Sequence, residues 1–495
     1  MGGIRGRQPE RLRLAAERKM DMDFMSYAEK HKEEIIRSTQ ELLRIPSIEG
    51  TPQPGMPLGE DVNKALEYVL ELSDKLGLKI KNLDGYAGYA EYGSGDEMVG
   101  ILCHLDVVPA GEGWTKPPFE GVVEDGKIYG RGATDNKGPA ISAIYALKAV
   151  MDAEIPLKRR VRIIFGTNEE SGWRGIHYYC QHDEMPTMAF VPDATYPVVN
   201  VEKGIVHVRL LSSGKADAAG DGKVLKVLEL QGGHRPNMIP GQCTCRLSGD
   251  QSALEEAAEI AKALAKDPYP QVEASLDSGV LTLTVTGLAG HASTPESGIN
   301  AAAYMLQALD RIMEAGYALD SSAVTQLVRL VSAHIGLETN GQSMGVGFSD
   351  SVSGDLTLSI GVLNYENDQA YVDVDIRYPV TKQQVEIVDP IKQAAAEYGV
   401  TVEPGHSQRS LHVPEDSFLV QQLLKVYEKY TGEKGKPLAI GGGTYARALD
   451  NAVAFGPVFP EDQRNIHRED EYATVDELLR NTAIFADAIC LLAGK

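Results

Sequence analysis

Five residues of the types that hold divalent metals stand where the chain should leave a strand or enter a loop: His104, Asp135, Glu170, Asp193 and His467. His104-Leu-Asp106 lies within an apolar run, and residues i and i+2 of a strand share a face. An aspartate there could hold the second ring nitrogen of a metal-bound histidine. Glu169-Glu170 closes another apolar run. Neighbouring carboxylates repel, which favours protonating one unless a cation is near. One of the pair could bind metal while the other handles protons. Asp193 follows Met188-Ala-Phe-Val-Pro192, and Asp135 is crowded by glycines in Arg131-Gly-Ala-Thr-Asp-Asn-Lys-Gly-Pro139. Imidazole and carboxylate are donors that zinc accepts. One shared carboxylate would bring two ions to ~3.5–4 Å, the spacing of two-metal hydrolases.

Taken singly, each residue has a plainer reading. Asp135 could be the N-cap of the helix that follows. Glu169-Glu170 could be a solvated acidic turn, and His467 an ordinary loop histidine. The set of five is what points to metal chemistry.

These residues need a scaffold that gathers strand ends. Residues 98–108 and 161–167 are continuous apolar runs, suited to strands buried on both faces of a parallel sheet. Apolar spacing predicts helices over 27–43, 60–76 and 140–151. Strand and helix in alternation, with polar residues at the carboxyl ends of the strands, describe a doubly wound α/β sheet, which binds ligands at that edge. After Gly204 the strands alternate instead, as in Leu281-Thr-Leu-Thr-Val-Thr-Gly287, which implies a sheet with one wet face. Two stretches there, 223–266 and 355–398, each read strand, strand, helix, and Arg246 aligns with Arg377. The α/β pattern returns with a helix at 418–430. Thr474-Val-Asp-Glu477 then has the spacing of a capping box opening a last helix.

The expected fold is therefore a discontinuous doubly wound α/β catalytic domain with an inserted α+β lid of two similar halves. The expected boundaries are a disordered extension at 1–20, catalytic residues 21–204 and 411–495, and a lid at 205–410.

Composition narrows the function classes. The 495 residues are 43% hydrophobic and 24% charged, with a formal net charge of −22. That sign disfavours nucleic acid and anionic membrane, which are bound mainly through Lys and Arg. No apolar run approaches the ~20 residues of a membrane span. The five cysteines are odd in number and scattered, which argues for a reducing, cytoplasmic setting. Cys243 and Cys245 share a strand face and read as core residues.

In this order the residues resemble the zinc-dependent aminoacylase–carboxypeptidase–dipeptidase family of metallopeptidases. The resemblance runs from about Leu42-Leu-Arg-Ile-Pro-Ser47 to the C-terminus. Asn237-Met-Ile-Pro240, Asp375-Ile-Arg377-Tyr-Pro379 and Gly441-Gly-Gly-Thr444 are similar to the bacterial dipeptidase V group, which is carnosinase-like and broad in substrate. The resemblance implies two divalent ions, zinc first, with manganese and cobalt as alternatives. His104 and Asp193 would hold one, Glu170 and His467 the other, and Asp135 would bridge them before a cis peptide bond to Asn136. Glu169 would be the general base and Asp106 the orienter of His104. His291, in Gly290-His-Ala-Ser-Thr-Pro295, would reach the oxyanion. Asn237, Arg377, Gly443 and Thr444 would hold a small peptide, and the doubled lid implies a monomer.

Two rivals remain at this level. An N-acyl amino acid deacylase of the acetylornithine or succinyl-diaminopimelate type would keep the same metals and base. A catalytically inactive binding protein would be expected to lack a ligand or the base, and this chain has all of them.

Overall fold

The computed structural model describes residues 23–215, 223–462 and 465–494. The extension expected at residues 1–20 lies outside them. The chain forms two compact units. The first comprises the described residues up to Val201, His412–Leu438 and those from Gly443 on. The second comprises Glu202–Leu411 and Ala439–Gly442.

In the first unit six strands of a larger sheet follow the order Lys79–Leu83, Ala87–Tyr92, Arg160–Gly166, Met98–His104, Met188–Val191 and Ala452–Ala454. The last four pair in parallel. The first two join antiparallel, so the sheet is mixed. Every residue of Met98–His104 is buried, as its unbroken apolar run requires. The helix Lys137–Asp152 packs on this sheet and against Val475–Ala493. The latter is buried on nearly every side and opens with the expected reciprocal cap. Thr474 Oγ1 accepts from Glu477 N at 3.1 Å, and Glu477 Oε2 accepts from Thr474 N at 2.9 Å.

The helix expected over 27–43 is two, Phe24–Lys30 and Lys32–Leu43. They meet at His31, whose ring stacks on Tyr27 at 4.3 Å and whose Nδ1 lies 2.9 Å from Glu34. Apolar periodicity continues across such a joint, so spacing alone does not reveal it. Asp23 starts the first helix by accepting from the amides of Met25 and Ser26.

The second unit is built on eight antiparallel strands. Their order is Gln271–Asp277, Val280–Thr286, Gln242–Ser248, Val224–Gly232, Thr357–Glu366, Gln369–Tyr378, Gly204–Ser213 and Thr401–Gln408. The two central strands pair through Leu230↔Tyr365 and Gln231↔Asn364. About this seam the order is mirrored, with Gln251–Lys262 and Gln384–Glu397 as corresponding helices. One slot breaks the repeat. Val280–Thr286 belongs to its own half, whereas its counterpart Gly204–Ser213 enters from the start of the unit. Val280–Thr286 alternates between buried and half-buried residues, as a one-sided sheet requires. Cys243 and Cys245 are buried on one face of their strand. The helices Ala301–Glu314 and Ser322–His334 cover the same core, in a stretch where the sequence reading assigns no element.

Candidate metal centre

Register brings three of the candidate ligands together. Met98–His104 lies between Arg160–Gly166 and Met188–Val191, with His104 opposite Gly166 and Ile101 opposite Phe190. His104, the Glu169-Glu170 pair and Asp193 therefore leave neighbouring parallel strands at the same edge. Asp135 comes from the loop entering the helix Lys137–Asp152, not from a strand of this sheet.

The sequence shapes that loop tightly. Gly132 has φ +91, a region L side chains rarely adopt, and Lys137 N donates to its carbonyl at 3.0 Å. A Cβ on Gly138 would stand 2.2 Å from the Ala133 carbonyl oxygen. The helix begins after Asn136 without a side-chain cap, so Asp135 is not an N-cap. The peptide bond from Asp135 to Asn136 is cis.

Asp135 sits between two imidazoles. Its Oδ1 lies 2.7 Å from His104 Nε2, and its Oδ2 lies 3.0 Å from His467 Nε2. His467 Nε2 also lies 3.0 Å from Glu170 Oε1, and His104 Nε2 lies 3.8 Å from Asp193 Oδ2. Ligand atoms of His104, Asp135 and Glu170 all fall within 4.8 Å of one another. Donors ~2.1 Å from a tetrahedral ion stand ~3.4 Å apart, so the four pair distances, between 2.7 and 3.8 Å, need to change only by tenths of an ångström to close on one. The donors fit divalent metal. All are oxygen or imidazole nitrogen, a set that suits zinc and also manganese and cobalt.

The electrostatics have one theme, protons held where cations would fit. Burial disfavours charge on His104, yet hydrogen bonds to Asp106 and Asp135 and the charges of Asp135 and Asp193 hold the ring well above its ordinary value. Burial also opposes charge on His467, but its bonds to Asp135 and Glu170 raise it to about 11. Asp135 is the converse case. Burial would raise it, and hydrogen bonds from both histidines hold it below the usual carboxylate range. Burial pushes Glu169 and Asp193 well above that range, with nearby carboxylates adding to the effect.

Asp106 serves two groups. Its backbone carbonyl lies 2.9 Å from His104 Nδ1, and its carboxylate is 3.5 Å from that nitrogen. The carboxylate also accepts from the amides of Glu169 at 2.9 Å and Glu170 at 3.0 Å. The Glu169 carboxylate makes no hydrogen bond or ion pair among the described residues.

The remaining sequence candidates fall in two places. Thr444 caps a short 3-10 turn in the first unit, accepting from Ala446 N at 3.1 Å, and Gly443 precedes it. In the second unit Met238 pairs with His291, and Ala292 N donates to Asn237 O at 2.9 Å, so Asn237 and His291 share a small ribbon. Ser293 N donates to His291 Nδ1 at 3.1 Å and Ser293 Oγ lies 2.7 Å from the same nitrogen, an arrangement that suits a ring protonated on Nε2. Arg377 is 4% exposed. Its Nε and Nη2 each lie 2.6 Å from an oxygen of Asp375, and its Nη1 donates to Gly441 O at 3.0 Å.

Sequence reasoning missed Asn136 and Glu471. Asn136 Oδ1 accepts from His104 N at 3.3 Å, and its Nδ2 donates to Pro192 O at 2.5 Å and Asp193 Oδ1 at 3.4 Å. It ties two candidate ligands to a third, its chain neighbour Asp135. Glu471 is buried against the Asp135 loop. The only signal for Asn136 was adjacency to Asp135. Glu471 sits in Arg468-Glu-Asp-Glu471, which reads as solvated charge.

Residues 100–490 match the description "Peptidase family M20/M25/M40". YtjP of Bacillus subtilis (strain 168), provisionally named a dipeptidase, is 43% identical over 467 residues, covering 93% of this chain and 98% of its own. A Staphylococcus aureus relative (strain bovine RF122 / ET3-1), also provisionally named a dipeptidase, is 35% identical over 464 residues, covering 93% of this chain and 97% of its own. Human carnosine dipeptidase 1 has a similar fold, with a TM-score of 0.58 at 14% identity over 95% of this chain and 98% of that one. Aminoacylhistidine dipeptidase from Vibrio alginolyticus gives 0.54 at 15% identity over 92% and 95%.

Proposed function

The chain belongs to peptidase family M20/M25/M40, and from that premise we propose that it is a two-metal dipeptidase of broad specificity. It is a metallopeptidase hydrolase of a metal-dependent family, and its substrate class is peptide. The observation that carries the two-metal reading is the placing of Asp135, with one carboxylate oxygen facing His104 and the other facing His467.

Divalent ions bound there, zinc in our reading, would supply Lewis-acid polarisation of a carbonyl and acidify a water. His104 and Asp193 would hold one ion, Glu170 and His467 the other, with Asp135 shared. Glu169 takes the proton of the attacking water on its carboxylate and returns it to the leaving amine nitrogen. Its carboxylate makes no hydrogen bond among the described residues, which supports that role. Asp106 fixes the Glu169 and Glu170 amides, so base and ligand keep their relative position. His291 donates from Nε2 to the developing oxyanion. Asn237, Gly443 and Thr444 hold the peptide, and Arg377 its carboxylate. The names of the relatives support dipeptides over N-acyl amino acids, with carnosine-like Xaa-His peptides among the substrates.

We also place the protein in the cytoplasm as a monomer. Its five cysteines form no disulfide among the described residues, which supports a reducing setting, and no helix of the described residues is long and apolar enough to cross a membrane.

The test joins elemental analysis to a substrate panel. Two metals per chain, with cleavage of ordinary and carnosine-like dipeptides but not N-acetyl or N-succinyl amino acids, is the expected result. Cleavage of the acyl substrates alone would make the protein a deacylase, and no turnover of either class would make it a binding protein.

A further inference from the structure

We infer that Glu471 is a positioning residue that sets the direction of the Asp135 carboxylate and so tunes both metal positions at once. The inference rests on the two-metal reading above.

Glu471 is 0% exposed. Its Oε1 accepts from three backbone amides of one loop: Gly132 N at 3.1 Å, Thr134 N at 3.1 Å and Asp135 N at 3.2 Å. Its Oε2 accepts from Arg131 Nη1 at 2.7 Å. The surrounding backbone tightens the same tie. Gly130 N donates to Glu471 O at 2.9 Å, and Thr134 Oγ1 donates to Tyr472 O at 2.7 Å. The turn from Gly130 to Asp135 therefore hangs on two residues that lie 336 positions further along the chain at its Asp135 contact.

This goes beyond packing. A buried carboxylate is costly unless its lone pairs are satisfied, and an apolar side chain would fill the space with less penalty. What an apolar residue lacks is an acceptor for three amides that no helix or strand satisfies. Three amides converging on one oxygen fix three peptide planes, the last ending at the Asp135 Cα. The Cα–Cβ direction of Asp135 follows, and with it the two oxygens that face His104 and His467. Metal sites tolerate errors of only ~0.2 Å in ligand distance, so small rotations of this loop matter. The segment that carries His467 ends at Glu471, so one stretch of chain both offers a ligand and shapes the loop of the shared one.

The experiment compares wild type with Glu471→Gln. Zinc affinity is read by competition with a chromophoric chelator, ligand geometry by the cobalt(II) absorption spectrum, and the metal-free fold by thermal melting. Glu471→Gln retains one acceptor oxygen but loses the charge and presents an NH2 group to either the amides or Arg131. We expect zinc to bind ~10–100-fold more weakly at both positions, the scale seen when groups supporting a ligand are changed, with an altered cobalt spectrum. Thr474→Ala, which removes a nearby helix cap, should lower the melting temperature and leave zinc affinity at wild type. If Glu471→Gln does not fold, Glu471→Asp makes the same comparison, because it keeps the charge but is too short to reach all three amides. Unchanged zinc affinity and cobalt spectrum in the folded variant would overturn the assignment. Equal weakening by Thr474→Ala would reduce it to general stability. Wild type binding one zinc or none would instead sink the two-metal reading, so the two failures are distinguishable.

Discussion

His467 and Glu170, 297 residues apart in the chain, meet Nε2 to Oε1 at 3.0 Å, and the same ring nitrogen lies 3.0 Å from Asp135 Oδ2. Asp135 turns its other oxygen to His104. This arrangement predicts unequal losses of metal. His467→Ala should leave about one ion per chain, because His104, Asp193 and Asp135 Oδ1 are untouched. Asp135→Ala should leave neither. Elemental analysis after gel filtration measures both. Equal stoichiometry in the two variants would show that Asp135 is not shared.

Metal uptake should release protons. In the metal-free protein both His104 and His467 are held above their ordinary value of 6.5, which favours the protonated form of each ring. An imidazole must lose its proton to bind metal. Titrating zinc into metal-free protein at pH 7 should therefore give a calorimetric enthalpy that scales with the ionisation enthalpy of the buffer. Apparent affinity should fall as pH falls. A buffer-independent enthalpy would mean that the rings are already neutral.

The two adjacent glutamates should separate by function. Glu169→Gln should keep its metals and lose roughly 10²–10⁴-fold in kcat, the worth of a general base. Glu170→Gln should lose metal, because its Oε1 faces His467. Near-normal kcat in Glu169→Gln would move the base elsewhere.

The contrast between these residues and those the sequence missed has a physical cause. His104, Glu170 and Asp193 were legible because each follows a run of apolar residues, and such runs mark strands buried on both faces. Once the strands are parallel neighbours, their ends must meet. The capping box at Thr474 was legible because it is local. Asn136 and Glu471 act through long-range contacts with backbone amides and carbonyls, which leave no periodicity or spacing behind. The joint at His31 escaped for a related reason, because two helices sharing one buried face keep one apolar phase. In the second unit the mirrored halves were visible as strand, strand, helix. The slot filled by Gly204–Ser213 was not, because that strand comes from outside the repeated stretch.

His291 offers a prediction that depends on its tautomer. The Ser293 amide donates to Nδ1, which suits the tautomer with its proton on Nε2, where the ring is a hydrogen-bond donor. An oxyanion donor acts more on the transition state than on the bound substrate. His291→Ala should lower kcat by ~10²–10³-fold and leave metal content unchanged. A change in KM alone would make it a binding residue, and lost metal would make it a ligand.

Arg377 presents the sharpest choice between a structural and a substrate role. A guanidinium has five N–H groups. Among the described residues three are engaged, two with Asp375 and one with the Gly441 carbonyl, which leaves two for a substrate carboxylate. Asp375 is itself 0% exposed and also lies 2.8 Å from His207 Nε2. Arg377→Ala strips a buried carboxylate of its main partner and should cost about 3–5 kcal/mol of stability. Arg377→Lys keeps the charge but not the planar fork, so it is the better probe of recognition. The measurement is a cycle on one dipeptide and its C-terminal amide, with wild type and Arg377→Lys. If Arg377 clamps the free carboxylate, each change alone should cut kcat/KM strongly. Together they should cut it little further, because both delete the same interaction. Additive losses, or equal turnover of tetrapeptides, would mean that Arg377 serves Asp375 and the loop at Gly441 and does not measure the length of the substrate.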